Sequence, residues 1–198
     1  MTRPSYTAWL VATGKLHPRE ELPVSACPGL SQEQGHHGRL GRPLSTSRYH
    51  VVAGSSDAEP RDVRYWAAEV VVGDGALVNE IDEVIWLDVD AAADRLTYAR
   101  DRGQLDGLVR ADRNGTLKTW PLVIVRHANA GSRSSWTQAD PLRPLDASGR
   151  ERAQALVPLL KSYGVTRVVT SPSVPGLATV APYAVPEELK TRLTPGCS

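Results

Sequence analysis

Phenylalanine is absent from the 198 residues, and 5 Trp and 6 Tyr supply the aromatic side chains. Cysteine is almost absent too. Cys27 and Cys197 alone form neither a disulfide framework nor a zinc-knuckle spacing. Net charge is nearly missing, with 23 Lys+Arg against 22 Asp+Glu and a formal +1. That removes the electrostatic case for non-specific nucleic-acid or membrane binding. No apolar run reaches the roughly 18 residues that a membrane span needs. The N-terminal MTRPSYTAWLVATGKL has too short an apolar stretch for a secretory signal. These absences together make a reducing cytoplasm the expected location. Lysine is scarce as well, with 4 Lys to 19 Arg, and the Arg residues are scattered. Scatter points to a coding bias rather than to an arginine-rich binding site.

What is present is an ordinary globular balance. Residues of types AVILMFWYC make up 41%, with 16 glycines besides, above what a disordered chain shows. At about 150 residues per domain, the length allows one large domain or two small ones. No repeat or low-complexity tract is visible. Residues 1–60 are rich in Pro, Gly, Ser and His, with little clean periodicity. The β-branched and aromatic stretch 62–72 predicts a strand, and 83–89 (EVIWLDV) a second. From Asp90 to Ala111 the Ala/Leu/Arg-rich composition predicts a helix with interruptions at Gly103 and Gly107. The polar run 112–120 is the expected linker. Beyond it, 121–125 (PLVIV) predicts a buried-type strand. An amphipathic helix follows over 147–163, capped by Asp146 and closed by Gly164, and then a strand at 166–170. This β-loop-α-β order is the start of a parallel α/β unit.

The segment from Gly14 to His36 carries a candidate chemistry. Gly14 is followed six residues on by Glu20, and Leu30, Glu33 and Gly35 continue the spacing. It resembles the Nudix box, G-x5-E-x7-R-E-U-x-E-E-x-G-U, where U is a bulky apolar residue. Glutamates three and four apart share one helix face and can hold hard cations. Mg²⁺ there neutralises a pyrophosphate and helps activate a water. In this chain the Arg-Glu pair is replaced by Pro28-Gly29, and the first of the paired glutamates by Gln32. Pro and Gly inside an exposed helix cost roughly 3 and 1 kcal/mol against Ala. The spacing therefore predicts a helix that is short or broken near 25–30, starting late after Cys27 if it forms.

The flanks extend the resemblance. Arg3-Pro4-x-Tyr6-x-x-Trp9 looks like the lead-in of actinobacterial MutT-like proteins, although Val11-Ala12-Thr13 stands where Leu/Phe-Pro-Lys is usual before Gly14-Lys15. Downstream, Val63-Arg64-Tyr65-Trp66-Ala67-Ala68 and Asn79-Glu80-Ile81-Asp82-Glu83-Val84-Ile85-Trp86-Leu87 fit the family's V-x-Y-W-x-A and E-V-D-E-x-x-W-L strands. By resemblance, Glu20 and Glu33 are the metal ligands, Glu33 and Glu80 the catalytic acids, with Glu83 the next candidate, and Arg3 and Lys15 face phosphate. The likeness covers residues 1–111 and lacks the family's first strands.

A second motif lies past the linker. Val123-Ile124-Val125-Arg126-His127-Ala128 resembles the histidine phosphatase superfamily, in which the His attacks phosphorus and the Arg clamps phosphate oxygens. Ala130-Gly131-Ser132-Arg133, Trp136, Arg143-Pro144-Leu145-Asp146-x-x-Gly149-Arg150, Ala153-Gln154-Ala155 and Thr170-Ser171-Pro172-Ser173 follow in the family's order. The resemblance makes His127 the nucleophile and Arg126 a phosphate ligand. Pro175 takes the place of the second clamping Arg, Thr179 is kept, and the second catalytic His of the family has no counterpart up to Ser198. His17, His36 and His37 read as loop or helix-end residues without acidic or Cys partners at ligand spacing.

The expected fold is α/β: an incomplete α+β Nudix-type sandwich over 1–111, a linker at 112–120, and the first part of a parallel α/β histidine-phosphatase-like domain over 121–198. The pairing resembles a MutT-like Nudix hydrolase fused to a histidine-phosphatase-like domain. It implies Mg²⁺-dependent hydrolysis of 8-oxo-dGTP or dinucleoside polyphosphates, with impaired activity. The alternative is an inactive relative that binds nucleotide or phosphate without turnover. A phosphatase working through His127 alone ranks third. The partner is a nucleotide or another phosphorylated small molecule, with no nucleic acid and no membrane.

Overall fold

The computed structural model describes residues 9–12, 36–51, 59–73 and 85–194. The chain is mixed α/β and divides into two compact units, 1–121 and 122–198. No helix among the described residues is long and apolar enough to cross a membrane.

The first unit is built on antiparallel pairing. Strand β5 (Trp66–Gly73) is the centre of a three-stranded sheet, flanked by β1 (Trp9–Ala12) and β2 (His36–Pro43). Its two alanines, Ala67 and Ala68, are completely buried. Leu40 sits opposite Ala68 and is buried as well. Arg39 and Glu69 are register partners and form an ion pair across the same ladder. Strands β3 (Ser47–Val51) and β4 (Glu59–Val63) make a separate antiparallel pair. There Arg48 lies opposite Asp62 and donates to both its carboxylate oxygens, at 2.6 and 3.0 Å.

Two helices follow, α1 (Val89–Arg95) and α2 (Ala99–Arg113). The α1 start is dictated by Asp88, whose side chain accepts from the Ala91 N–H. Helix α2 carries Asp101 in its first turn and Arg110 and Arg113 in its last, matching the helix dipole. It ends at Gly115 in the left-handed region (φ 66°), where Thr116 N–H reaches back to Ala111 O at 2.8 Å. The turn folds Leu117 back onto Leu108, Ala111 and Ala67 to close the first core, with Leu44 packed against it.

The second unit is parallel. Strand β6 (Val168–Thr170) pairs with β7 (Thr191–Leu193) through the helix α4 (Val174–Ala184), a β-α-β crossover. Helix α3 (Ala147–Ser162) precedes it. Asp146 caps α3 by accepting from Gly149 N–H at 2.7 Å, and Gly164 (φ 56°) terminates it as its spacing predicts. Leu160, Val168, Tyr183 and Ala184 are the buried centre of one cluster, and Ala128, Leu145 and Ala153 of another. Each fully buried Leu or Val contributes roughly 1.5–3 kcal/mol.

Several expected elements differ. The strand predicted over 62–72 is two strands, because Arg64 and Tyr65 leave the ladder and the Tyr65 carbonyl accepts from Leu44 N–H instead. Residues 85–88 of the strand predicted at 83–89 belong to no ladder, and Val89 opens a helix. The helix predicted from 90 to 111 does break, but at 96–98, and runs through Gly103 and Gly107. Among the described residues, 121–125 pair with no strand: Val123 packs into the second core while Leu122 and Ile124 point to solvent. His36 and His37 stand in β2 rather than in a loop. The interval 25–30, where a broken helix is expected, lies outside the described residues.

Candidate functional site

The described chemistry of the second unit converges on the loop 126–131. Ala128 is buried, and its N–H donates to the Thr179 hydroxyl at 2.9 Å. That hydroxyl, itself buried on α4, donates its one proton to Pro175 O at 2.6 Å. One residue on, the Asn129 carbonyl accepts from Asp146 N–H at 3.0 Å. Ala130 bridges Leu145, and Gly131 N–H donates to Pro144 O at 3.0 Å. The loop is therefore pinned on one side to the second turn of α4 and on the other to the start of α3.

Gly149 explains how the loop comes so close to α3. A Cβ at that position would stand 2.0 Å from Asn129 O, a distance no side chain tolerates. Arg143 fastens the far end by donating to Gly131 O at 2.6 Å and pairing with Asp140 at 2.9 Å. Asp140 also accepts from Arg133. The Arg133 guanidinium, and then Arg143, hold the Asp140 carboxyl below the usual carboxylate range.

On this fixed loop Arg126 and His127 are exposed and adjacent. The His127 ring turns back on its own backbone, with Nδ1 2.9 Å from Ala128 O. A carbonyl only accepts, so Nδ1 is the donor in this contact, and in the neutral ring Nε2 is the nitrogen left with a lone pair. The pair can thus offer a cation for an anion and a free imidazole nitrogen beside it. Next to the loop's anchor, Ser173 caps α4 by accepting from Gly176 N–H at 3.3 Å and hydrogen-bonds Ser171 at 2.7 Å. A Cβ on Gly176 would meet the hydroxyls of Ser171, Ser173 and Thr170 at 2.7 to 3.0 Å, so those hydroxyls crowd the helix start. Pro175 is buried there and offers no donor.

Of the residues singled out from sequence, Arg126 and His127 stand together. Arg3, Lys15, Glu20, Glu33, Glu80 and Glu83 lie outside the described residues. Among the described residues no three His, Cys, Asp or Glu side chains gather as a cation site would need. Thr179, kept in the order of the resembled family, spends both its hydrogen bonds on the backbone. Sequence reasoning missed Asn129 and, though it placed Arg143 in the second motif, gave it no part; Asn129 acts through its carbonyl and Arg143 on Gly131 O. Gly149 is the one clue to that packing, being a glycine just inside a capped helix.

No family model matches this chain. It is similar to an 8-oxo-(d)GTP phosphatase. That protein, from Mycolicibacterium smegmatis, is 37% identical over 182 residues, or 92% of this chain. The chain spans about half of that relative's length, 54%. At 92% coverage the likeness runs across both units.

Proposed function

We propose that the chain is a Nudix-type hydrolase of nucleoside di- and triphosphate derivatives, of the 8-oxo-dGTP or dinucleoside polyphosphate class, with slow turnover. The observation that carries this is the 37% identity, over 92% of the chain, to a phosphatase of 8-oxo-(d)GTP. Glu20 and Glu33 supply the hard carboxylate oxygens that suit Mg²⁺, and Arg3 and Lys15 meet the substrate's phosphates. Bound there, Mg²⁺ neutralises phosphate charge and lowers the pKa of a water. Glu33 and Glu80 are the acids available to take a proton. With Gly29 and Gln32 in place of carboxylates, Mg²⁺ binds in the millimolar range, about 4 kcal/mol. Pyrophosphate release from 8-oxo-dGTP is the test. Slow release that needs Mg²⁺ and disappears in Glu33→Gln is the expected result, and micromolar Mg²⁺ binding by calorimetry without nucleotide contradicts the weakened site.

A second reading is favoured by Pro28, Gly29 and Gln32, which weaken scaffold and ligand set together. Here the chain binds nucleotide without turnover, and nucleotide binding with no release of pyrophosphate selects it. In either case the Arg126–His127 loop binds a phosphate group and hydrolyses phosphomonoesters negligibly. Pro175 gives the transferring phosphoryl group no second donor, which costs about 3 kcal/mol of transition-state stabilisation. Robust phosphatase activity that is abolished by His127→Ala would overturn this.

A further inference from the structure

Thr179 has no exposure to act on a ligand, yet it sits two hydrogen bonds from the His127 ring. Its hydroxyl proton is committed to Pro175 O at 2.6 Å, which leaves a lone pair aimed at Ala128 N–H, 2.9 Å away. The Ala128 peptide nitrogen is thereby fixed to α4. The next carbonyl along, Asn129 O, is fixed to the start of α3 through Asp146 N–H. Ala128 C=O lies between these two anchors and has little freedom to rotate. It is the carbonyl that receives the His127 Nδ1 proton at 2.9 Å. The tautomer of an imidazole is set by the hydrogen bond that one of its nitrogens makes. We infer that Thr179 is a positioning residue, holding Ala128 C=O so that His127 is kept in the Nδ1–H form with its Nε2 lone pair directed away from the backbone.

The inference rests on the reading of Arg126–His127 as a phosphate site, and it assigns that site its chemical form. A phosphoryl or other electrophilic phosphorus group is met by an unprotonated Nε2. An imidazole with the proton on Nε2 would present a donor at the same place. The threonine is needed for both its features: a hydroxyl that donates and accepts at once, and a size that fits the buried position.

The test is imidazole nitrogen NMR on the full ¹⁵N-labelled chain, above the pH at which histidine loses its second proton. His127 is assigned by its loss in His127→Ala. The wild-type His127 should show mainly the Nδ1–H pattern, whereas free histidine favours Nε2–H. Thr179→Ser should keep that pattern. Thr179→Val should lower the Nδ1–H to Nε2–H ratio by about fivefold to tenfold, the scale of one net hydrogen bond. A wild-type ring already in the Nε2–H form, or an unchanged ratio in folded Thr179→Val, overturns the inference. If Thr179→Val does not melt cooperatively, amide exchange in the wild type decides: a protected Ala128 N–H supports the anchor, and an unprotected one refutes it. Titration with inorganic phosphate separates the two layers. A tautomer that follows Thr179 in a chain that binds no phosphate keeps the positioning role and removes the phosphate reading. Phosphate binding with a tautomer indifferent to Thr179 does the reverse.

Discussion

The two units hold their backbones in opposite ways. In the first, antiparallel strands carry the order, and the helix packed against them, α2, begins at Tyr98 with no side-chain cap. The cluster between that helix and the sheet has four buried residues, two of them alanines. In the second, the strands are only three residues each, and the helices carry the order, capped by Asp146 and Ser173. The antiparallel ladders join backbone to backbone directly. The parallel unit anchors a long loop with the side chains of Thr179 and Arg143 and the backbone N–H of Asp146. The contrast shows where each unit is vulnerable: the first in its packing and the second in a few contacts to loop backbone.

Gly149→Ala should be the most damaging way to break the comparison. Its methyl group would fall on Asn129 O, and forcing backbone apart in a packed region costs about 3 kcal/mol. A drop of the denaturant midpoint with unchanged slope would register it; an unaltered midpoint would show that the loop yields. Asp146→Ala should cost about 1 kcal/mol by removing the cap from Gly149 N–H, read in the same titration. Gly107→Ala in α2 should go the other way. Nothing lies within 4 Å of the added carbon, so the helix gains roughly 0.5–1 kcal/mol when alanine takes the place of glycine. The two Gly→Ala changes thus have opposite signs in the two units.

The smallest effect is one of pH. Tyr183 is buried and donates to Val165 O at 2.5 Å. Burial, with Glu187 nearby, pushes its phenol up from the ordinary value. The unfolded chain ionises this phenol near pH 10 while the folded chain keeps it neutral. Its contribution is therefore complete below about pH 10 and is lost as pH rises through the folded value. Thermal melts above pH 10 should fall less steeply in Tyr183→Phe than in the parent chain.

How much of this was legible in the sequence depends on whether the signal was local. Asp146 and Gly164 bracket α3 as predicted, because a cap and a left-handed terminus are set by their nearest neighbours. Asp88 caps the helix that opens at Val89, within the β-branched run 83–89 whose composition predicts a strand. Gly103 and Gly107 suggested breaks, yet each costs only about 1 kcal/mol, and the burial of Gln104, Leu108 and Ala111 offsets that. Residues 121–125 have strand composition, but a strand needs a partner, and composition cannot supply one. At the site, Arg126 and His127 were legible as a motif. Their support was not, because Asn129 and Asp146 meet through backbone atoms that any sequence would place there, and the Thr179 hydroxyl meets a backbone N–H that carries no mark in the sequence.

The two ion pairs in the first unit's ladders have a meaning beyond energy. Arg39–Glu69 and Arg48–Asp62 are partly or largely exposed, and such pairs add little to stability. Each lies on one rung of its ladder, so each spells out which residue faces which. Sliding β4 by one place would bring position 48 opposite position 61, an arginine facing an arginine. Sliding it the other way sets the charge against Val63. The pairs work as an address for the strands: in a short two-stranded ribbon with few apolar residues to fix its phase, opposite charges state the one alignment in which the ladder reads correctly.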